Sequence, residues 1–284
     1  MQTENLRLTL SDRFHDRIGL TLQLKSCLHS STSPFQHIAV YDSTDLGKVL
    51  CLGGSIALTE LDEAWYAEQL VHPALSVHAT AKRVLIVGGG DGGLARECLR
   101  YPNIESVTVV EIDRQVAEVA ATYFPAPAAA LRDPRVKLIY DDAHRWLRDC
   151  QERFDIILID SAELVNAPSD AFFSLSFAET VFSALEDDGI LVLPLGCPTF
   201  ETDLCRTSLR ALSTRFAHPN VYRLHLPSLP TGEWAVAWCS GKRTPDQVAT
   251  KPEGVSSLQS WQPKLQAGLF ILPRQIQRQL GIPG

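Results

Sequence analysis

Four carboxylates in this chain follow directly on apolar runs: Asp91 in VLIVGGGDGG, Glu111 in SVTVVEID, Asp142 in VKLIYDDA and Asp160 in FDIILID. Continuous apolar runs separated by helix-length segments predict strands buried on both faces, hence a parallel sheet with helical crossovers. Ligands on such sheets bind in the crevice beyond the carboxyl ends of the strands. The four acids are therefore expected to converge on one edge. Like charges in one crevice repel, and a cationic ligand is the natural compensation.

The first run ends in Gly88-Gly89-Gly90-Asp91-Gly92-Gly93, five glycines in six positions. Absent side chains there let backbone N–H groups approach a ligand at a helix start. Glu111 stands about twenty residues further on, the distance at which an acid accepts hydrogen bonds from ribose hydroxyls. A glycine-rich turn alone also serves as a plain tight turn, and Asp142 and Asp160 are equally suited to cap helices. The loop carries its own acid, which would oppose a pyrophosphate at the helix start and argues against a dinucleotide. A sulfonium nucleoside without phosphate fits better. S-adenosylmethionine brings a carboxylate that Asp91 would be poorly placed to welcome, whereas its decarboxylated form offers an ammonium and no competing acid.

These residues need a framework, and the chain has two textures. From about Leu6 to Ala57 apolar and polar residues alternate in LTLQLKSCL, FQHIAVYDS and KVLCLGGSIAL, predicting short antiparallel strands in a small domain over 1–58. The parallel-sheet domain is expected over 59–284. It opens with a connecting helix, 59–75, capped at Thr59. It closes with a polar loop from Gly241 and a terminal helix begun near Pro273. The 284 residues are 45% hydrophobic and 21% charged, as in a globular protein with a substantial core. The net charge of −7 without long basic runs excludes a nucleic-acid groove and favours a small cation. No apolar run has membrane-spanning length and the amino terminus lacks a signal-peptide pattern, so a cytoplasmic protein without membrane association is expected. Seven scattered cysteines without a CxxC pair are read as buried reduced thiols, with no metal site. His72 and His78 are read as ordinary helix-end or surface histidines.

The segments GSIALTELDEAWYAEQLVHPAL, VLIVGGGDGGLARE, VTVVEID, DDA, FDIILIDS and LFILPRQIQRQL together resemble the spermidine synthase family, the polyamine aminopropyltransferases, in order and spacing from about Phe35 onward. The resemblance implies a Rossmann-like, class I methyltransferase-type domain behind a small N-terminal antiparallel β-domain, assembled as a homodimer or homotetramer. It implies transfer of the aminopropyl group of decarboxylated S-adenosylmethionine, a co-substrate and not a bound cofactor, to a small amine, putrescine by default. By position, Gln36 and Asp91 would hold the aminopropyl portion of the donor, Gly88 and Gly90 its loop, Glu111 the ribose, and Asp142 with Ala143 the adenine. Asp160 would be the acid–base residue, with Tyr66 beside the reacting amine and Glu163 on the acceptor side.

The chemistry is consistent with those roles. An alkyl amine is protonated near neutral pH, its pKa close to the ~10.4 of lysine, and an ammonium has no lone pair with which to attack. A desolvated Asp160 could accept that proton, beneath a lid formed by the loop SAELVNAPSDAF. Tyr66 has a plain alternative as a half-buried helix tyrosine whose hydroxyl meets any nearby acceptor.

Departures from the family pattern fall on the acceptor side. Asp-x-x-Asp-Pro becomes Asp160-Ser161-Ala162-Glu163-Leu164, Gln-x-Glu after the fifth strand becomes Pro194-Leu195-Gly196, a late loop tyrosine becomes Leu229, and the polar residue after Tyr66 becomes Ala67. A different or bulkier amine is thereby open as acceptor. Two other classes also remain: a small-molecule methyltransferase using S-adenosylmethionine on the same fold, and a non-catalytic nucleoside-binding relative.

Overall fold

The computed structural model describes residues 8–15, 18–160, 175–217 and 219–282. They divide into two compact units, Met1–Glu63 with His225–Gly232, and Ala64–Leu224 with Glu233–Gly284.

The first unit is a five-stranded antiparallel sheet in sequence order: β1 (Leu8–Phe14), β2 (Ile18–Thr32), β3 (His37–Ser43), β4 (Lys48–Leu52) and β5 (Ser55–Thr59). Alternation decides which face is buried: Leu22, Leu24, Ala39, Val49 and Cys51 pack together with Leu46 on one side. The buried Asp12 of β1 accepts a hydrogen bond from the Ile56 amide of β5 at 2.9 Å, which curls the sheet so that its first and last strands meet. Thr59 is not a helix cap. It ends β5, and its hydroxyl donates to Asp62 Oδ1 at 2.6 Å while Asp62 Oδ2 accepts from Ser228 N at 2.9 Å. The helix begins only at Glu63 because Thr59 is still held in the ladder opposite Val49.

The second unit starts with α1 (Glu63–Leu75) and holds a seven-stranded sheet of β6 (Arg83–Gly88), β7 (Ser106–Glu111), β8 (Val136–Tyr140), β9 (Phe154–Asp160), β10 (Leu185–Gly196), β11 (Asn220–His225) and β12 (Glu233–Ser240). The order is β11-β12-β10-β9-β6-β7-β8, with β8 to β10 parallel through β6 and β12 antiparallel to β10. Between the strands run α2 (Gly93–Cys98), α3 (Arg114–Tyr123), α4 (Pro125–Ala128), α5 (Ala143–Asp149), α6 (Leu175–Ala184) and α7 (Thr202–Ser213), and α8 (Gln266–Leu269) and α9 (Arg274–Leu280) close the chain. The five apolar runs read from the sequence are the five parallel strands; β11 and β12 are additional. Strand order reverses between β6 and β9, so the crevice of this sheet opens where Gly88 faces Asp160. Beneath it Ile157, Ile159, Leu191, Leu193 and Leu195 pack against Phe177, Leu209 and Ile276 of α6, α7 and α9. Among the described residues no helix is long and apolar enough to cross a membrane.

All seven cysteines are free. Five are buried, but Cys27 is exposed and Cys150 only partly covered, because their strand and helix-end positions face outward.

Candidate active site

Asp160 is the last residue of β9, in register with Gly88 of β6, and its Oδ1 accepts a hydrogen bond from the Tyr66 hydroxyl at 2.9 Å. Both expectations for Tyr66 thus meet: it is a partly buried helix tyrosine, and the acceptor it finds is the predicted proton-transfer residue. Burial drives the Tyr66 hydroxyl well above its ordinary pKa, and the Asp160 charge pushes in the same direction, so Tyr66 acts as a fixed donor.

The helix that presents Tyr66 is held by an unusual set of contacts. Pro73 lies inside α1 and has no N–H for the Gln69 carbonyl one turn earlier. The buried Tyr222 hydroxyl donates to that carbonyl at 2.7 Å instead. Pro73's own carbonyl accepts from Trp238 Nε1 and Gln266 Nε2, each at 3.0 Å. On a neighbouring face the Glu68 side chain, 2% exposed, accepts from the backbone amides of Gln259, Ser260 and Trp261 at 2.7 to 3.1 Å. Three amides in a row make a nest for one carboxylate. The tail after Gly241 is therefore a clamp on the tyrosine-bearing helix.

The glycine loop comes directly after β6. Gly88, Gly89 and Gly92 have φ of 82°, 76° and 89°, and Asp91 Oδ1 accepts from Gly93 N at 2.7 Å, turning the chain into α2. Glu111 reaches across from the end of β7: its Oε2 accepts from Gly90 N at 3.1 Å and its Oε1 from Asp113 N at 2.9 Å. A Cβ on Gly90 would lie 2.8 Å from Glu111 Oε2 and 2.9 Å from its Cγ, so any side chain there would displace the acid. Glycine at 90 is what brings the second acid against the loop.

Burial and mutual repulsion set the charge state of this cluster. Burial, then the Asp91 charge, push Asp160 from its ordinary 3.8 up to about 8. Burial pushes Glu111 from 4.5 up to about 7 against the pull of its two backbone amides. Burial likewise raises Asp91, although Gly93 N and Arg96 oppose it. Three carboxylates crowded together in this way form a receptacle for positive charge.

Asp142 realises the capping alternative: it precedes α5 and its Oδ1 accepts from Arg145 N at 2.9 Å, leaving Oδ2 for other partners, with Ala143 buried beside it. Gln36 belongs to the first unit, in the turn before β3, where its amide donates to Ser33 Oγ at 3.1 Å. Glu163, Leu164 and the rest of the loop read as a lid lie outside the described residues. Among the described residues no group of three or more His, Cys, Asp or Glu is arranged to hold a metal.

The two histidines are not surface residues. His72 is fully buried, with Nδ1 3.1 Å from the Tyr101 hydroxyl and Nε2 3.1 Å from Glu97 Oε2. Arg96 and Arg100 close on the same Glu97 carboxylate at 2.7 and 2.6 Å, and the Trp261 ring packs tilted against the imidazole with centroids 5.0 Å apart. His78 is 2% exposed beneath Asp188 and Arg243. The His72 partners lie 25 or more positions away, which is why sequence alone left it as a helix-end residue.

Comparison with known proteins agrees with this architecture. Residues 63–252 match the family model "Spermine/spermidine synthase domain" and residues 10–60 the model "Spermidine synthase tetramerisation domain". The chain is 34% identical over 265 residues to a polyamine aminopropyltransferase of Agathobacter rectalis, covering 92% of this chain and 93% of that one. It is 31% identical to another from Desulforudis audaxviator, over 95% and 98% of the two chains. Among solved structures, a spermidine synthase in complex with the transition state analogue AdoDATO superposes with a TM-score of 0.90 at 28% identity, over 99% of this chain and 96% of that one. The spermidine synthase of Thermotoga maritima gives 0.88 at 27%, over 100% and 96%. The chain belongs to the spermine/spermidine synthase family of polyamine aminopropyltransferases.

Proposed function

We propose that this protein transfers the aminopropyl group of decarboxylated S-adenosylmethionine to a small amine, with putrescine as the default acceptor and 5′-methylthioadenosine as the second product. The observation that carries the reading is the Tyr66–Asp160 hydrogen bond at the mouth of a crevice where burial, and then the neighbouring carboxylates Asp91 and Glu111, raise the Asp160 pKa. A sulfonium and two ammonium groups are the charges such a cluster would welcome.

In the reaction, the amine nitrogen gives its lone pair to the aminopropyl carbon attached to sulfur. The C–N bond forms as the C–S bond breaks, its electron pair returns to sulfur, and a neutral thioether leaves without needing an acid. The ammonium proton goes to Asp160, whose raised pKa suits a general base working near neutrality. Tyr66 orients that carboxylate through its hydroxyl. Asp91 would face the donor's amino group, Glu111 the ribose, Asp142 and Ala143 the adenine, and Gln36 the aminopropyl chain.

A homo-oligomer, dimer or tetramer, belongs to the same reading and is supported by the family match of the N-terminal sheet; light scattering on the purified protein tests it. A cytoplasmic setting is supported by seven unpaired thiols. The central experiment is a product scan by mass spectrometry with decarboxylated S-adenosylmethionine and putrescine, cadaverine, agmatine or spermidine. Methylthioadenosine together with an aminopropylated amine is expected; its absence with every amine would overturn the reading.

A further inference from the structure

A buried ionic cluster that takes no part in the steps above joins α1 to α2. The short helix α2 follows directly on the glycine loop and packs against β6 and β7, with Leu94 and Cys98 buried, so it is fixed to the sheet that carries Asp160. One turn into α2 stands Glu97, fully buried. A carboxylate in such a place is strongly unfavourable without partners. Here His72 Nε2 of α1 lies 3.1 Å from Oε2, Arg96 Nε donates to Oε1 at 2.7 Å, and Arg100 Nε stands 2.6 Å from Oε2. Burial pushes the Glu97 pKa up, but the hydrogen bonds from His72 and Arg96 outweigh it and hold the group below its ordinary value. An ionised carboxylate only accepts, so the His72 proton that it meets sits on Nε2, while the Tyr101 hydroxyl holds Nδ1 at 3.1 Å. Arg100 extends the cluster to the tail, its Nη1 donating to Glu253 O at 3.3 Å and its carbonyl accepting from Glu253 N at 2.7 Å.

The position of these contacts around α1 gives them a consequence for Tyr66. At about 100° per residue, Glu68 and His72 lie within about 40° of one another and about 120–160° around the helix from Tyr66. Glu68 is held by the amides of the tail, and His72 by a carboxylate seated on the sheet. Two such anchors on one face set the roll of the helix about its own axis. Side chains reach about 6 Å from a helix axis, so a roll of about 20° moves the tip of one by about 2 Å. That displacement is enough to part the 2.9 Å bond from the Tyr66 hydroxyl to Asp160.

We propose that Glu97 is a positioning residue for the proton-transfer step: through His72 it fixes the roll of α1 and so aims the Tyr66 hydroxyl at Asp160. The assignment rests on the aminopropyl reading above. It ties the helix that follows the donor loop to the pair that handles the acceptor's proton, and it implies that Glu97 and His72 act on turnover only by way of Tyr66.

The test is a double-mutant cycle on kcat, with decarboxylated S-adenosylmethionine and the best amine from the product scan, each variant assayed below its melting midpoint. Glu97→Gln keeps the shape of the side chain and removes its charge. His72→Phe keeps a ring and removes its hydrogen bonds, and His72→Gln returns an N–H to Glu97. With Tyr66 present, Glu97→Gln and His72→Phe are each expected to lower kcat about fivefold while donor Kd stays within about twofold, and His72→Gln to recover most of the loss. In a Tyr66→Phe background the same changes should lower kcat by less than about twofold, because the hydroxyl that they aim is gone. Equal fold losses in both backgrounds, as general loosening of the fold would give, overturn the assignment while leaving aminopropyl transfer intact. Full turnover in Glu97→Gln and His72→Phe does the same. Should Glu97→Gln fail to fold, the two His72 variants decide by the same comparison. Absence of methylthioadenosine with every amine overturns the transfer reading itself, and this one with it.

Discussion

The Tyr66 hydroxyl donates to Asp160 Oδ1 at 2.9 Å across 94 positions of sequence. One residue comes from the helix that opens the second unit and the other from the strand at its topological switch point, so the pair exists only when both are in place. Asp160→Asn is expected to keep donor affinity within a few fold and to lower kcat by about 10²–10⁴, the usual worth of a positioned base. Tyr66→Phe, which leaves the base present but unoriented, should cost about tenfold, within the range for lost orientation. Stopped-flow binding and steady-state turnover separate these effects. Equal turnover in Asp160→Asn would remove the residue from the proposed mechanism.

The raised carboxyls make a second expectation. Asp160 rises from 3.8 to about 8 and Glu111 from 4.5 to about 7, both chiefly through burial. The unfolded chain releases these protons near pH 4 and the folded one only near pH 7 to 8, so the native state binds more protons between those limits. Their contribution to stability is complete below about pH 4 and is lost as pH climbs through 7 to 8. Thermal melts of the ligand-free enzyme should therefore fall between pH 5.5 and 8.5, and Asp160→Asn should flatten the slope. An equally steep slope in the variant would show that Asp160 titrates normally.

Binding of a cationic donor should reverse that uptake. As positive charge enters the cluster, Asp160 and Glu111 lose protons to the buffer. Calorimetric titration of decarboxylated S-adenosylmethionine in buffers of different ionisation enthalpy at pH 7 should show net proton release. No buffer dependence would mean that the carboxylates are already ionised.

Gly90→Ala tests how the loop and Glu111 fit. The added methyl would meet Glu111 Oε2 at 2.8 Å and its Cγ at 2.9 Å, forcing the acid off the Gly90 amide. Donor affinity should drop at least tenfold, while the melting temperature changes by only a few degrees, as for a loop-level shift of about 1 kcal/mol. Retained affinity would indicate that Glu111 does not need this position.

The clamp on α1 predicts a stability effect distinct from chemistry. Tyr222→Phe leaves the Gln69 carbonyl, already deprived of a partner by Pro73, unsatisfied in the interior, at a cost of about 1–3 kcal/mol. Denaturant unfolding should show that loss. Glu68→Gln removes the charge that gathers the amides of 259–261 and should both destabilise the enzyme and lower kcat more than it raises donor Kd, because Tyr66 rides on the same helix.

The sequence by itself determined the two sheets, the five parallel strands and the edge on which Asp91, Glu111, Asp142 and Asp160 gather, because apolar runs and strand-end polarity are local signals tied to a general rule of sheet topology. Only the tertiary structure decided what each acid does there. Asp142 caps a helix, Glu111 leans on Gly90, and Asp160 is held by Tyr66 while burial, and then its acidic neighbours, raise its pKa. Thr59 looked like a cap and is a strand end; His72 looked like a helix-end histidine and is enclosed by Glu97, Tyr101 and Trp261. For His72 and Asp160 the partners lie far away in the chain, and burial, which sets both hydrogen-bond need and pKa, is a property of packing that no local pattern carries.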